Sequence, residues 1–329
     1  MTALGFTVVT RPFEYSALPG RYGAPIIGGV GALLAIVSVL LGVHGSSMTI
    51  AAAGMTVGVT VVLGLLLGGS WSTRMPFLRQ SAINLEATRG TKPRVWLVAH
   101  IDSKSQPVST AVRTVGVLLF TAAMIALLFL RPIPPRGLVW MVVACSIAGG
   151  GILVRSVVGT RSDGAADNAS GVAAVLEAAA LVHTGRSFGV LITDAEELAL
   201  AGARAWVAGR KPGIAINCDT IDDASTSLGA SPGRLVVMRY GRRSDELIRR
   251  ATSAARAEDP RSTVIRPLPG VLTDSVAFRD AGWHTVTLSR GTLRTLNRIH
   301  TARDTLSSMQ GTGIATAARV LARLVEELA

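Results

Sequence analysis

Residues 94–102 read RVWLVAHID, an apolar run closed by a histidine and an aspartate. A run that is apolar without alternation suits a strand buried on both faces, as in a parallel sheet covered by helices on each side. On either side of it the chain repeats strand and helix signals in turn. Strands are predicted at 81–87, 187–193, 213–219, 234–240 and 284–290. Helical spacing appears at 168–185, 198–209, 244–258, 274–282 and 313–329, the first opened by the capping-competent Asn168 or Ser170 and closed by Gly185. This alternation predicts an α/β fold, a mixed, mostly parallel sheet with helices on both faces. Such sheets collect ligands at the carboxyl ends of their strands, where the histidine and aspartate of the opening run fall.

Four further stretches do not belong to such a sheet. Residues 25–44, 48–69, 112–130 and 138–158 are apolar through their centres, and each is long enough to cross a hydrocarbon core of about 30 Å. The links GSS and RPIPPRG make them two hairpins, so the expected organisation is an N-terminal segment 1–24 and a first transmembrane hairpin 25–70. A catalytic domain comes next, over 71–110 and 160–329, with a second hairpin, 111–159, inserted into it. Across 329 residues the hydrophobic share is 49% and the charged share 16%, with a mean hydropathy of +0.44. That excess is concentrated in the four stretches, which places the chain in a bilayer as an integral, multi-pass protein.

The net charge of +12 is carried almost wholly by arginine, as a compositional bias would produce, with attraction to anionic headgroups as the functional rival. No basic helix or aromatic-basic interleaving accompanies it, so nucleic acid is not an expected partner. Cys145 lies in an apolar stretch and Cys218 beside a candidate ligand, so no disulfide is expected. The N-terminus lacks the pattern of a cleaved signal peptide. Arg21, Arg74, Arg79, Arg113, Arg155 and Arg161 flank the spans on the side of the catalytic domain, against Arg131 and Arg136 on the other side. The expectation is a cytoplasmic domain on the plasma membrane.

Five candidate metal ligands come after apolar runs or in loops. They are His100 in VWLVAHID, Asp167 in GAADNASG, Glu197 in ITDAEE, Asp219 in INCDTI and His300 in RIHTARDT. Two histidines, two terminal carboxylates and one carboxylate able to bridge are what a pair of zinc ions needs. Glu196 and Glu197 are adjacent carboxylates whose joint burial requires nearby cations, leaving one to ligate and the other to serve as general base. Asp102, two residues after His100, is placed to orient that imidazole. Each signal has a structural alternative, such as a helix cap at Asp167 or Asp219 or a surface histidine at His300.

Their order resembles the co-catalytic zinc aminopeptidase family, which includes bacterial leucyl aminopeptidases, glutamate carboxypeptidase and transferrin receptor. The resemblance covers roughly 78–110 and 160–329, and NASG after Asp167 and HTARDT around His300 carry it most closely. It implies two zinc ions per chain and peptide substrates. By that resemblance His100 binds one zinc and Asp167 bridges both, Glu197 binds one ion and Asp219 the other, and His300 completes the second. Glu196 is then the general base and Asp102 supports His100. Three positions depart from the family: Ile101 replaces an aromatic, Ala199 replaces a glycine, and TDSVAF lacks a histidine after Asp274, which receives no role. The largest departure is the inserted hairpin. Two other functions remain open on this fold, an inactive membrane scaffold and a one-zinc glutaminyl-cyclase-like acyltransferase. Chain length alone keeps Asp102 and Asp167 within about 35 Å of the bilayer, at roughly 3.5 Å per residue. The cleft is accordingly expected to border the membrane and to take membrane-associated peptides.

Overall fold

The computed structural model describes residues 1–43, 48–68, 70–129, 135–223, 233–267 and 272–329. Their elements, in chain order, begin with β1 (Thr7–Ser16), α1 (Leu18–Val43), α2 (Thr49–Gly68), β2 (Arg79–Arg89) and β3 (Val95–His100). Next come α3 (Thr110–Leu127), α4 (Arg136–Val154), α5 (Ser170–Leu181), β4 (Phe188–Thr193), α6 (Ala201–Val207) and β5 (Ile214–Ile221). The chain ends with β6 (Leu235–Arg239), α7 (Asp245–Glu258), β7 (Thr263–Ile265), α8 (Asp274–Asp280), β8 (His284–Arg290), α9 (Thr295–Arg298) and α10 (Thr312–Leu328). The chain divides into two compact units. One comprises Met1–Tyr15, Arg79–Lys104 and Ser162–Ala329, the other Ser16–Leu78 and Ser105–Arg161.

The first unit is built on an eight-stranded sheet in the order β1-β2-β4-β3-β5-β8-β6-β7. Its middle four strands, β4, β3, β5 and β8, run parallel, and β2 and β6 flank them antiparallel. The sheet is mixed and mostly parallel at its centre, as the strand–helix alternation predicts. Every residue of β3 and β4 is buried, because helices cover both faces. On one face Ala174, Ala178, Leu321 and Val325 of α5 and α10 pack with Leu97, Val190 and Ile216. On the other, Trp96, Trp206, Phe278 and Trp283 form an aromatic cluster with centroid distances of 4.7–5.8 Å, in edge or tilted contacts.

β1 is not predicted by the sequence. TVVTRPFEYS places Pro12 and two charges in the strand, a composition tolerated at a sheet edge, and its burial follows no apolar alternation. α6 begins three residues later than its periodicity suggests, because Ala199 and Leu200 hold φ of 73° and 60°. α5 ends at Leu181 rather than continuing to Gly185.

The second unit contains four helices long and apolar enough to cross a membrane. α1 starts at Leu18 and runs through Pro25, so Arg21 and Tyr22 occupy its early turns, a polar beginning that a count of apolar residues does not register. α4 stops at Val154, and Gly159, just beyond it, pairs with Ser105 in an isolated bridge. Of the two links, residues 44–47 and 130–134 lie outside the described residues. Small residues set the helix spacing: a Cβ on Gly149 would meet Phe120 N at 2.5 Å, and one on Gly150 would meet Ala32 Cβ at 2.5 Å. Such close approach brings the helix backbones into direct van der Waals contact. Side chains such as Leu33, Leu65, Leu118 and Trp140 turn outward and are exposed.

Candidate metal centre

His100 is the last residue of β3, and its register partner on β4 is Thr193, so the loop after β4 starts beside it. That loop carries Glu196 and Glu197. Asp219 lies near the end of β5, and His300 follows α9, which comes after β8. The four parallel strands therefore deliver their carboxyl ends to one place, and the α5 loop brings Asp167 to it. All seven sequence-predicted site residues converge there. His100, Asp167, Glu196, Asp219 and His300 are buried, as is the Glu197 side chain, and Asp102 is partly exposed.

Asp167 sits between the histidines. Its Oδ1 lies 3.2 Å from His100 Nε2 and its Oδ2 lies 2.7 Å from His300 Nε2. Glu197 Oε1 is 3.1 Å from His300 Nε2. Asp219 Oδ1 and Glu196 Oε2 stand almost equally far from His100 Nε2, at 3.9 and 4.0 Å. The side chains thus form two triads, His100–Glu196–Asp219 and Asp167–Glu197–His300, each with ligand-type atoms within 4.8 Å of one another.

Asp102 partners His100 and does more besides. The imidazole Nδ1 is 3.0 Å from the Asp102 backbone carbonyl and 3.5 Å from its carboxylate. A proton on Nδ1 donated to that carbonyl leaves the Nε2 lone pair facing the cluster. The carboxylate accepts the backbone N–H groups of Glu196 and Glu197, at 2.9 and 3.1 Å. It holds the acidic loop in place. Asp304 does the same for Asp167, accepting the N–H of Ala166 at 2.8 Å and of Asp167 at 3.1 Å. Asn168 ties that loop to β5: its Oδ1 accepts the N–H of Gly171 and Thr220, and its Nδ2 donates to the Cys218 carbonyl. The Asp167–Asn168 peptide bond is cis.

Two residues in this shell escaped sequence reasoning. Asp304 was visible only as a carboxylate four positions after His300, and Lys104 only as a cation two positions after Asp102. Lys104 is buried and its Nζ donates to Glu197 Oε2. The remaining acids are structural. Asp223 accepts the N–H groups of Gln310 and Gly313 at the start of α10, Asp222 pairs with Arg298 and Thr295, and Asp194 accepts the N–H of Ala195. Asp274 is fully buried, accepts the Thr193 hydroxyl on one oxygen and has no hydrogen-bond partner on the other. Burial, with the nearby Asp102 and Asp219 carboxylates, pushes it up to about 7.

Electrostatics separate the glutamates. Burial pushes Glu196 well above the ordinary glutamate range, the charges of Glu197, Asp219 and Asp274 adding to it against the pull of His100. For Glu197 burial also pushes up, but Lys104 and His300 outweigh it and bring the carboxyl to about 2. Burial lifts Asp219 to about 6. Burial would lower His100, yet Glu196, Asp102, Asp167 and Asp219 together hold it well above its usual value.

The donor set fits zinc. Bonds of about 2.0–2.2 Å in a tetrahedron separate ligand atoms by roughly 3.3–3.6 Å, and the ligand-type atoms here lie from 2.7 Å to within 4.8 Å of one another, close enough to draw onto an ion. Glu197 Oε1 is buried, faces inward and lies 3.1 Å from His300 Nε2, an acceptor placed to meet a cation.

Ala199 occupies a left-handed conformation that costs an L-residue about 1–2 kcal/mol. Ala199→Gly is expected to stabilise the protein by about 0.5–1 kcal/mol, after the extra chain entropy of glycine is subtracted. Chemical denaturation of both proteins in detergent checks the sign.

Among solved structures, BSAP, a zinc aminopeptidase from Bacillus subtilis, superposes with a TM-score of 0.50 at 19% identity. That match covers 76% of this chain and 51% of BSAP, so the chain spans about half the length of that relative. A leucine aminopeptidase precursor from Bacteroides thetaiotaomicron is 14% identical over 89% of this chain and 96% of its own, with a TM-score of 0.49. A glutaminyl cyclase from Porphyromonas gingivalis is 18% identical over 74% and 77%, with a TM-score of 0.47. No curated protein matches by sequence. At 19% identity the likeness to BSAP speaks for the fold alone. The family assignment rests on a sequence model matching residues 83–325, a span that contains all five candidate ligands, and on that match the chain belongs to Peptidase family M28.

Proposed function

We propose that this chain is a membrane-anchored di-zinc exopeptidase, an aminopeptidase acting on peptides near the membrane surface. The observation that carries the reading is Asp167, a single carboxylate with one oxygen toward each of two histidines. His100 and Asp219 complete one ion's set, Glu197 and His300 the other's. Two zinc ions, when bound, supply Lewis-acid polarisation of a carbonyl and make water acidic enough to attack it. Glu196 takes the water proton and passes it to the departing amine, a transfer helped by a carboxyl whose affinity for protons is already raised. Asp102 keeps Glu196 in reach by gripping its amide.

Metal analysis and a peptide screen test this together. The purified protein should hold about two zinc ions per chain and cleave peptides with a free N-terminus while sparing N-blocked ones. No metal would point to a scaffold. One ion with cyclase activity would point to an acyltransferase.

Zinc uptake should also depend steeply on pH. Ligands bind metal only when deprotonated, and the metal-free site holds His100 well above 6.5 and Asp219 at about 6. Protons therefore compete to higher pH than in free side chains, and affinity must fall as pH drops through those values. The expected slope is about tenfold per pH unit for each proton displaced. Zinc titrations at pH 6 and 8, in two buffers of different ionisation enthalpy, read both the slope and the protons released.

The four apolar helices support an integral membrane protein, and the arginine distribution supports a cytoplasmic catalytic unit on the plasma membrane. Protease should cleave that unit in inverted vesicles and not in intact cells. The inserted span begins only a few residues after Lys104, so connectivity tethers the site to its anchor and favours peptide substrates held at the bilayer. Equal turnover of soluble and lipid-anchored forms of one peptide would remove that preference.

A further inference from the structure

The two-ion reading leaves one buried cation without a task. Lys104 ends the chain segment that carries His100 and Asp102, and it donates to Glu197 Oε2. The other oxygen, Oε1, faces the cluster, 3.1 Å from His300 Nε2. The Glu197 backbone is fixed separately, by Asp102. Lys104 is therefore not needed to hold the loop, and its contact governs the carboxylate itself. Among the described residues, no lysine or arginine hydrogen-bonds to His100, Asp167 or Asp219. Among the described residues, Lys104 is the cation hydrogen-bonded to a candidate ligand carboxylate, and it serves one half of the centre.

We infer that Lys104 is a positioning residue that confines Glu197 to ligation through Oε1 and makes the Asp167–Glu197–His300 half the weaker of two zinc sites. The inference rests on the two-ion reading above. Two effects act in the same direction. In the metal-free protein the ammonium compensates a buried carboxylate, so an arriving dication gains less by neutralising it. With the ion in place, ammonium and dication share one carboxylate and repel across it, in surroundings that screen them poorly. The ions should load in order, first at His100 and Asp219, then at Glu197 and His300. The weak half would be the first to empty under a chelator.

Zinc titration of the metal-free, full-length protein in detergent, against a competing chromogenic chelator, tests this without recourse to activity. The wild type should show two steps of unequal affinity. Lys104→Met removes the charge at similar length, and it should tighten the weaker step by about tenfold or more while leaving the tighter one nearly unchanged, a change opposite in sign to the loss that removing an ordinary outer-shell partner brings. Lys104→Arg should restore the separation. Lys104→Gln keeps a donor for Oε2 without the charge, and carries the test if the methionine variant does not fold. A weaker step that is unchanged, or weaker still, in the uncharged variants overturns the role assigned to Lys104. A wild type binding fewer than two ions overturns the two-ion reading, and the inference with it.

Discussion

Glu196→Gln is expected to keep both zinc ions and lose about 10²- to 10⁴-fold in kcat, the usual worth of a positioned general base. The substitution preserves shape and removes only the ability to take a proton. Its outcome decides a question that distances leave balanced. Glu196 Oε2 and Asp219 Oδ1 stand 4.0 and 3.9 Å from His100 Nε2, so either could be the ligand. Burial and neighbouring carboxylates push both carboxyls up, so their surroundings do not separate them either. Metal content and kcat measured on one preparation separate the roles. A glutamine variant that loses zinc makes Glu196 a ligand, and one with wild-type turnover sinks the mechanism.

Asp167→Ala should instead abolish zinc binding and activity together. Asp167 approaches both histidines, and burial, which by itself would raise it, is outweighed by His100 and His300, which hold it well below the usual carboxylate range. Removing it deletes a ligand from each half and leaves two imidazoles facing each other's positive ion with no anion between. Affinity should fall well beyond the ~10²-fold that loss of an outer-shell partner costs. Asp167→Asn, which keeps shape and one oxygen, should retain at most one ion. Retention of two ions in Asp167→Ala would refute the bridging role.

Much of this centre could be read from the chain because strand ends are written locally. An apolar run such as VWLVA buries itself on both faces, and the residues just after it must emerge at the sheet's edge; His100, Glu196 and Asp219 each come after such a run. The shell around them could not be read. Asp102 grips amides 94 and 95 positions away, Asp304 binds a loop 137 and 138 positions back, and Lys104 meets Glu197 across 93. No window of sequence contains both partners. Asp102 shows the consequence: its nearness to His100 suggests an imidazole partner, and only the fold adds its second task of holding the glutamate loop.

The strand–helix alternation, the four long apolar helices and the order of the ligands are written in the chain, since each depends on short-range periodicity or on the length of an apolar run. Folding alone settles which strands adjoin, that Pro12-bearing β1 lies at the sheet edge, and that Ala199 and Leu200 turn left-handed before α6. It also settles which oxygen of each carboxylate faces the centre. Those choices are made by hydrogen bonds and charges between segments that only the assembled sheet brings together, and a buried donor or acceptor takes whatever partner the fold supplies.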